Sequence, residues 1–393
     1  MHCVMNKLVL TTGGVETLEY FAKQMGAEFE RLGYAVFYFD LKNASSSAKK
    51  VRKFIKTGQT ALVTFNFQGL EQEEGVYKEG IGYLWEEYQM PCYNIAADHP
   101  YFYHERLQNL PEKYFHISID RMHQKYFEKF YPEFRSLGFL PLAGNQFEGS
   151  EDACDKTTDV IMLGNYTEPP FFTPYIHWIN DEYAAFYQGI IEELLVRTDA
   201  TVEEVALEHC EREMGENTIW DLRGALHKMI FIDLYVRNYW RGKAVQTLVD
   251  AGVMVDVVGK GWEKLPVKCS ENLVIHPQTD SKTCLELVKK AKVSLNVMPW
   301  FKDGAHDRVF TSILNGTVCV SDESKYLLET LKEQEGVFYY KLQEIERLPQ
   351  LVKRLLIEDE LRKKAVTRGK EIVEKEHTWA ARARKLAEWM QDE

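Results

Sequence analysis

Short apolar runs alternate with amphipathic helical patterns along this chain, and the alternation occurs in two successive blocks. In the first block, the run "NKLVLTT" (6–12) ends at Gly13-Gly14, and a helical pattern that closes at Gly33 leads to the run "YAVFYFD" (34–40). This spacing is typical of parallel strands, because the chain needs a helical crossover to return to the start of the sheet. The sequence therefore predicts an α/β fold built from doubly wound parallel sheets.

The other strand-like runs follow the same pattern in each block. In the first block they lie at 61–67, 91–97 and 114–120, with a helical pattern near "YKEGIGYLWEEYQ". In the second block they lie at 159–164, 253–259, 272–277, 292–299 and 317–322. The chain of 393 residues is long enough for two domains with separate hydrophobic cores.

Changes in composition mark the domain boundaries. Residues 143–158 are polar, acidic and weakly periodic, and we predict that they link an N-terminal domain (1–142) to a C-terminal domain (159–372). The segment of about residues 165–236 shows several helical patterns. It is too long for one crossover, so we predict a helical insertion in the second domain. The closing segment 373–393 is charged and helical.

Charge and cysteine content narrow the class of protein. The net charge of −12 excludes an extended nucleic-acid surface, which needs clustered cations. The seven cysteines are scattered singly, so neither a disulfide framework nor a zinc site is expected. The N-terminus has no basic region before its apolar run, and no apolar run is long enough to span a bilayer. We therefore expect a cytoplasmic protein, while peripheral membrane contact and a homodimer stay open.

Glycines, cations and polar side chains collect directly after the strands of the second block. In open parallel sheets a ligand binds beyond the carboxyl ends of the strands, so these positions are candidates for a binding site. They are Gly164, Asn165, Gly259, Lys260, Gly261, Trp262, His276, Pro277 and Gln278. The Gly-x-Gly pattern alone is a weak signal, because any tight turn uses glycine.

A polar triplet stands at the start of a predicted helix in "GAHDRVFTSILNG" (304–316). Apolar residues recur at helical spacing after His306, Asp307 and Arg308, with Asp303 or Asp307 available as the N-cap. A helix N-terminus presents free N–H groups and the positive end of the helix dipole, and both favour an anion. We predict that a phosphate-bearing ligand binds here.

The motifs of the second block resemble, in order, the donor-binding half of GT-B glycosyltransferases. Between about 237 and 385 they are "VDVVGKGW", "KVSLNVMP", "GAHDRVF", "VCVSD" and "HTWAARA". The resemblance is closest to the group 1-like family related to bacterial spore-maturation glycosyltransferases, and the N-terminal half shares only the architecture and "DHP" (98–100). It implies GT-B architecture, with two Rossmann-like domains facing a cleft and the terminal helix packing back towards the N-terminal domain.

The resemblance also implies an activity and the cations that serve it. The activity is transfer of a hexose-type sugar from a nucleotide-diphosphate sugar, such as a UDP-sugar, to a hydroxyl on a glycan, a lipid-linked intermediate or a protein. Arg308 would hold the leaving diphosphate in a bidentate fork, with Arg241, at the predicted start of a helix, as the second cation and Lys260 as the third. The alternative for each arginine is a structural ion pair.

Further donor contacts follow from the same resemblance. The nucleotide base is expected near the side chains of Trp262, His276, Pro277 and Gln278. His306 either contacts the donor or braces its loop. Many group 1 members carry a glutamate that contacts the donor three positions after the Arg308 site, whereas this chain has Thr311 there.

The acceptor side is expected in the first block. Asp98 and His99 follow the strand-like run 91–97, and we take Asp98 as the first candidate for a general base and His99 as the second. A hydroxyl becomes a better nucleophile when a base takes its proton as the bond forms. The alternatives are that Asp98 caps the next segment and that His99 is packed before a proline. Gly13 and Gly14 either allow close approach of a substrate or form a plain turn.

No metal site is predicted. An Asp-x-Asp pair after a strand, which carries a divalent ion in the other large glycosyltransferase fold, is absent, and Asp303 and Asp307 lie beside basic residues. Arginine side chains and helix N–H groups would neutralise the diphosphate, so we expect metal-independent transfer without a cofactor. Two other functions stay open: a nucleotide-sugar epimerase of the same fold, and a non-catalytic scaffold that binds nucleotides or glycans.

Overall fold

The computed structural model describes residues 5–147, 154–214 and 219–392. The chain forms two compact units, one made of residues up to 143 together with those from 377 onwards, and the other of residues 144–376. Residues 148–153 of the predicted linker and residues 215–218 of the predicted insertion lie outside the described residues. In the described ranges, no helix is long and apolar enough to cross a membrane.

Each unit contains one six-stranded parallel sheet. The strands of the first unit are β1 (Lys7–Thr12), β2 (Ala35–Asp40), β3 (Thr60–Phe65), β4 (Tyr77–Lys78), β5 (Gly82–Tyr83), β6 (Cys92–Ala96), β7 (Tyr114–Ser118) and β8 (Arg135–Phe139). Of these, β4 and β5 form a separate antiparallel pair. The strands of the second unit are β9 (Thr158–Leu163), β10 (Val255–Val258), β11 (Leu273–His276), β12 (Ala291–Asn296), β13 (Val318–Asp322) and β14 (Val337–Tyr340).

Helices connect the strands in both units. Those of the first unit are α1 (Glu16–Arg31), α2 (Ala44–Phe54), α3 (Leu84–Glu87), α4 (Arg121–Phe130) and the terminal α15 (Trp379–Asp392). Those between β9 and β10 are α5 (Thr173–Ile176), α6 (Asp181–Val196), α7 (Val202–Met214), α8 (Ile219–Lys228) and α9 (Ile230–Asp250). The rest are α10 (Ser281–Lys290), α11 (Asp307–Leu314), α12 (Lys325–Thr330), α13 (Leu348–Ile357) and α14 (Asp359–Glu376).

The strand order gives each sheet one point at which the winding reverses. The orders are β2-β1-β3-β6-β7-β8 and β11-β10-β9-β12-β13-β14. Connections leave β1 and β3, or β9 and β12, in opposite directions, so a crevice opens beyond the carboxyl ends of those two strands. The predicted doubly wound α/β architecture is confirmed, and the crevices identify where each unit is suited to bind a ligand.

Burial on both faces explains the apolar strand sequences of the second unit. Val160 in β9, Val293 in β12 and Val318 in β13 are all 0% exposed. Parallel strands covered by helices on both sides favour β-branched residues at consecutive positions, since no face meets water. These strands give the site a rigid edge.

Three elements differ from the sequence prediction. The helical pattern near "YKEGIGYLWEEYQ" forms the β4-β5 pair and only one helical turn, because Gly80 and Gly82 adopt positive φ angles of 73° and 103° that interrupt a helix. Strands β8 and β14 were not predicted. The first contains Gly138 and a register shift against β7, so its pattern is not that of a regular strand.

The segment that enters the second unit lies along α11. The backbone N–H of Asn145 donates to the hydroxyl of Thr311 (3.0 Å). The amide of Asn315 donates to the Asn145 carbonyl (2.8 Å) and accepts from the backbone N–H of Phe147 (2.7 Å). Gly144 packs so closely that a Cβ there would lie 2.8 Å from Phe310. Residues 144–147 are thus fixed parts of the second unit.

The terminal segment belongs to the first unit. Trp379 at the start of α15 packs 5.1 Å from the ring of Phe21 in α1, and the Arg382 guanidinium donates to the carbonyl of Pro141 (2.5 Å). Arg382 also contacts His377 (2.9 Å), and burial beside this cation lowers the pKa of His377 to about 3. The imidazole of His377 is therefore neutral and serves packing.

Asn315 tests how strongly residues 144–147 are held. We expect Asn315→Ala to lower the free energy of unfolding by about 2–3 kcal/mol, because it leaves buried backbone groups without partners. Asn43→Ala, at an exposed position of the first unit, is the matched control. Urea denaturation measures both. A loss in Asn315→Ala no larger than in the control would show that this contact does not stabilise the unit.

Candidate functional site

Gly164 stands between two guanidinium groups at the winding reversal of the second sheet. It directly follows β9 and has a φ of 131°, which favours glycine. A Cβ on Gly164 would lie 3.1 Å from Nη1 of Arg308 and 3.9 Å from Cζ of Arg241. The structure thus brings together three of the residues predicted from separate motifs.

Arg308 lies in the first turn of α11 and points back to β9. Its Nη1 donates to the carbonyl of Leu163, while Nε and Nη2 are buried and have no hydrogen-bond partner. Burial lowers the pKa of Arg308, because the charged form loses its hydration. Among the described residues, no carboxylate forms a salt bridge with Arg308, so the ion-pair alternative does not account for it.

Arg241 reaches the same place from α9. It lies in the middle of this helix, not at its start as predicted, because α9 extends from Ile230 to Asp250. Its Nη1 donates to the carbonyl of Asn165, and its buried Nε has no partner. Burial, together with the nearby charges of Arg308 and Arg237, lowers the pKa of Arg241 to about 9.

Arg308 and Arg241 are neighbouring cations, and within the described part of the chain no carboxylate is in salt-bridge contact with either. Taking a guanidinium out of water costs free energy unless a negative group compensates, and a second cation beside it adds repulsion. An anion with several oxygens would give the open N–H groups of Arg308 and Arg241 their partners. A phosphate or diphosphate has this chemistry, and arginine matches its oxygens in a bidentate fork.

The loops after β9 and β10 contain glycines and contact each other beside the arginines. Asn165 accepts from the backbone N–H of Lys260 (2.9 Å). Gly259 and Gly261 have φ angles of 149° and 85°, and a Cβ on Gly261 would overlap the carbonyl of Tyr166. Only glycine allows this approach. The side chain of Lys260 is exposed at these loops.

Trp262 differs from its predicted role. Its side chain is 0% exposed, its indole N–H donates to the carbonyl of Gly164 (2.8 Å), and its ring stacks on Tyr166 at 5.1 Å. A side chain buried in this way braces the loops and is not presented to a nucleotide base. Of the other residues expected near the base, Pro277 and Gln278 are exposed.

His276 is held by a strand neighbour. Its Nε2 lies 2.7 Å from a carboxylate oxygen of Asp256 in β10, and its carbonyl accepts from the backbone N–H of Gly259 (3.2 Å). The backbone contact ties the end of β11 to the glycine loop. His276 therefore has a clear structural role next to the exposed pair that follows it.

The three polar residues at the start of α11, His306, Asp307 and Arg308, make different contacts. His306 is the N-cap, and its Nδ1 accepts from the backbone N–H of Arg308 (3.3 Å), a role we had predicted for Asp303 or Asp307. Asp307 is buried, lies 2.6 Å from the His306 ring and accepts from the amide of Asn145 (3.4 Å). Burial and the charge of Arg308 lower the pKa of His306. The triplet orients the arginine within a dense polar network.

Trp300 and Arg237 belong to the site but were not among the predicted residues. The guanidinium carbons of Arg237 and Arg241 lie 4.4 Å and 5.7 Å from the Trp300 ring. Arg237 is also paired with Asp233 (2.5 Å). Such cation–π contacts hold a guanidinium in a fixed plane. Two signals pointed to them: Trp300 follows β12 at the winding reversal, and Arg237 precedes Arg241 by one helical turn.

A buried acidic group lies at the end of β13 in the same unit. Asp322 accepts from the backbone N–H of Met298 (2.8 Å), and burial raises its pKa to about 7. Lys302 lies nearby, and burial lowers its pKa. Glu203 of α7, also near Lys302, has a pKa raised by burial to about 7. These groups make the stability of the second unit sensitive to pH.

The first unit gathers polar residues at its own winding reversal. Gly13 and Gly14 follow β1, and a Cβ on Gly14 would overlap the side chain of Gln68. Asn66 and Phe67, directly after β3, have φ angles of 48° and 64°, which are unfavourable for residues with a Cβ. Strained backbone of this kind is concentrated at functional sites. We had predicted the two glycines but not the "NFQ" turn that faces them.

Asp98 is held next to this turn. The side chain of Asn66 accepts from the backbone N–H of Ala97 (2.6 Å), and the Tyr103 hydroxyl donates to Oδ2 of Asp98 (3.3 Å). Asp98 itself is half-buried. A carboxylate in this position is oriented and still accessible.

His99 is packed into an aromatic cluster. It is 3% exposed, its ring stacks on Tyr101 at 3.9 Å, and its Nδ1 accepts from the backbone N–H of Tyr101 (3.3 Å). The rings of His123 and Tyr126 contact it at their edges, 4.6 Å and 4.5 Å away. This environment favours the structural alternative for His99 and leaves Asp98 as the candidate base.

Comparison with solved structures agrees with a GT-B architecture. An alpha-glucosyltransferase bound to UDP-glucose and DNA containing an abasic site is similar at a TM-score of 0.55 and 10% identity, over 98% of this chain and 99% of that chain. HepE from Anabaena in complex with UDP-glucose gives 0.54 and 10%, over 98% and 100%. Sucrose-phosphate synthase from Thermosynechococcus elongatus gives 0.52 and 11%, over 98% of each chain. The fold is the GT-B fold of glycosyltransferases.

Comparison of sequences gives a more specific result for the second half of the chain. Residues 241–388 match the glycosyl transferase-like family. The match begins at Arg241, includes Arg308 and ends within α15. No curated protein matches the sequence. Together with the shared fold, the family match confirms the predicted class, a glycosyltransferase.

Asp322 provides a test of the buried charges. Its carboxyl binds a proton more tightly in the folded protein than in the unfolded chain, so between about pH 4 and about pH 7 the folded form holds more protons. The free energy of unfolding therefore falls as the pH rises through this range, by about 1.4 kcal/mol for each unit of pKa displacement.

We expect Asp322→Asn to remove part of this slope, and Glu203, which has the same sign of shift, to account for another part. The control is Glu323→Gln at the exposed neighbouring position. Chemical denaturation of the three proteins at pH 5, 6, 7 and 8 measures the slopes. Parallel slopes for the wild type and Asp322→Asn would contradict a raised pKa at this carboxyl.

Proposed function

We propose that this protein transfers a sugar from a UDP-sugar to a hydroxyl acceptor, with the donor diphosphate held by the second unit. The arginine pair around Gly164 carries the proposal, because Arg308 and Arg241 are adjacent and half-buried, each has a buried Nε without a hydrogen-bond partner, and neither has a carboxylate partner among the described residues. The N-terminus of α11 adds its dipole at the same place. HepE and the alpha-glucosyltransferase, two similar structures, are bound to UDP-glucose, which supports UDP as the carrier.

The proposed reaction exchanges one bond at the anomeric carbon. The acceptor oxygen bonds to this carbon while the bond to the β-phosphate oxygen breaks, and the electron pair leaves with the diphosphate. Negative charge grows on the leaving group, where Arg308 and Arg241 stabilise it more strongly than in the ground state. Fixed charges of this kind need no reorganisation during the reaction.

Asp98 is the proposed general base. It takes the proton that the acceptor hydroxyl loses, and the hydrogen bond from Tyr103 (3.3 Å) keeps its carboxylate oriented. Thr311, at the position where related enzymes use a glutamate, has its hydroxyl engaged by Asn145 (3.0 Å). The donor sugar is therefore held by residues other than Thr311.

Transfer without a metal is part of the proposal. In the described part of the chain, no group of three or more His, Cys, Asp or Glu side chains is placed to hold a metal ion. The two arginines and Lys260 supply positive charge that a divalent ion would otherwise provide.

The remaining predictions stay proposals. We propose a relation to the bacterial spore-maturation glycosyltransferases, on the motifs quoted above. We propose a cytoplasmic location, supported by six described cysteines that are all free thiols. The acceptor is a hydroxyl of a glycan, a lipid-linked intermediate or a protein, not a nucleic acid, because a net charge of −12 opposes binding to a polyanion.

Thermal shift with nucleotides tests the donor site. With EDTA present, UDP at a hundred times its dissociation constant should add about 2.7 kcal/mol of stability to the wild type. Arg308→Ala and Arg241→Ala should lose this shift, because the diphosphate loses its charged partners. The control is Arg347→Ala, whose side chain is 77% exposed. GDP, dTDP and CMP are measured in parallel.

The nucleotide-free proteins provide a second readout. Removing a half-buried charge that has no carboxylate partner among the described residues relieves a desolvation cost, so Arg308→Ala should be no less stable than the wild type without ligand. Equal UDP affinity in Arg308→Ala and the wild type would contradict the proposed role. A shift that occurs only with Mg²⁺ would contradict metal independence, and a shift with GDP alone would contradict UDP as the carrier.

Asp98→Asn tests the base. The amide keeps the size of the side chain and its contact with Tyr103 but cannot take a proton, so we expect kcat of transfer to fall by about 10² to 10⁴. UDP binding should be unchanged. Glu79→Gln, an exposed position of the same unit, is the control. UDP release from UDP-glucose with and without candidate acceptors measures turnover, and full activity of Asp98→Asn would assign the base elsewhere.

A further inference from the structure

A group of large apolar side chains is exposed on the helical segment that follows β9. We call it the aromatic surface. Its members and their exposed fractions are Phe171 (52%), Tyr175 (46%), Trp178 (77%), Ile179 (48%) and Tyr183 (46%). The rings of Phe171 and Tyr175 lie 6.3 Å apart, and the other three members follow within eight residues of Tyr175. A group of large exposed apolar side chains marks a binding surface, because leaving it in water costs free energy.

The aromatic surface has a fixed support. Tyr175 stacks on Phe231 of α9 at 6.2 Å, and Tyr187 packs edge-on against the same ring at 5.1 Å. Tyr183 lies 6.1 Å from Tyr187. Tyr175 and Tyr183 are thus the outer layer of a packed aromatic cluster, and their rings are held in place before a ligand arrives. A preformed surface loses little conformational entropy on binding.

Helix α9 connects the aromatic surface to the arginine pair. Phe231, Tyr235 and Asn238 follow one another at helical spacing, and Asn238 accepts from the backbone N–H of Thr167 (2.8 Å) in the loop after Gly164. Arg241 comes one turn later. From Phe231 to Arg241 the helix rises about 15 Å. One helix thus packs under the aromatic surface at its start and carries Arg241 of the proposed donor site in its middle.

The charges around the aromatic surface define the chemistry of its partner. Residues 165–196 contain five carboxylates and no lysine or arginine. Anionic lipid headgroups and nucleic acids are repelled by such a segment, since both need cations. A neutral sugar chain fits it. The C–H faces of sugar rings pack against aromatic rings, and hydroxyl groups donate hydrogen bonds to exposed carboxylates such as Asp181 and Glu182.

We propose that the aromatic surface binds a neutral oligosaccharide that carries the acceptor hydroxyl. The inference rests on the proposed function and specifies its acceptor as a glycan. It assigns to Trp178 and Tyr175 the binding of sugar units remote from the reacting hydroxyl. The helical segment between β9 and α9 then recognises the acceptor oligosaccharide, a role that the sheet alone does not supply.

The test is binding of defined glycans by the full chain. An array of neutral oligosaccharides of glucose, galactose, mannose, rhamnose and N-acetylglucosamine is probed with the wild type, Trp178→Ala and Tyr175→Ala. We expect glycans that bind the wild type to bind each variant at least tenfold more weakly. Ile357→Ala, at an apolar position of α13 that is 82% exposed, is the control and should bind as the wild type does.

Several outcomes would overturn the proposal. They are no binding to any neutral oligosaccharide, binding that both variants leave within twofold of the wild type, and tighter binding to single-stranded DNA or to phosphatidylcholine vesicles that Trp178→Ala abolishes. A dimer that Trp178→Ala converts to a monomer would assign the aromatic surface to a contact between copies. UDP thermal shifts on the same variants separate the two proposals. If the protein binds glycans but shows no shift with UDP, the proposed donor site is contradicted and the glycan-binding proposal stands.

Discussion

Two guanidinium groups share one sheet edge, and neither has a carboxylate partner among the residues that the structure describes. This arrangement imposes the main constraint on the second unit. Each loses hydration on burial, and each lowers the stability of the other's charge, so the arrangement costs free energy in the absence of a ligand. A structure retains such a cost where it serves binding, because a ligand with the opposite charge recovers it. The surrounding elements have to keep Arg308 and Arg241 together and keep acidic side chains away.

The topology of the sheet meets part of this requirement. The reversal between β9 and β12 brings the loop after β9, the start of α11 and the middle of α9 to one place, although they are far apart in sequence. Local contacts supply the rest: Gly164 leaves room for both guanidiniums, Trp300 faces the Arg241 side, and His306 fixes the first turn of α11. The acid in this turn, Asp307, is directed to His306 and Asn145 and not to Arg308.

Features that depend on local sequence patterns could be predicted, whereas features that depend on contacts between distant residues could not. Alternating strands and helices, and the polar triplet before a short helix, are local patterns, so the doubly wound fold and the position of Arg308 were found. The N-cap was assigned to aspartate because aspartate is common there, whereas the imidazole of His306 performs the task. The burial of Trp262 and of His99 could not be read from local patterns, because the rings that pack on them, Tyr166 and Tyr126, come from elsewhere in the chain.

Thr311 stands where many group 1 members have a glutamate, and its contacts explain this difference. Its hydroxyl accepts from the backbone N–H of Asn145, and Asn315, one turn later, binds the same segment from both sides. A glutamate at 311 would place a carboxylate where the chain entering the unit now lies, at a position 4% exposed. The inner face of α11 is thus occupied by the protein's own backbone. In the proposed donor site, the glutamate contact that many related enzymes make from this position therefore has no counterpart.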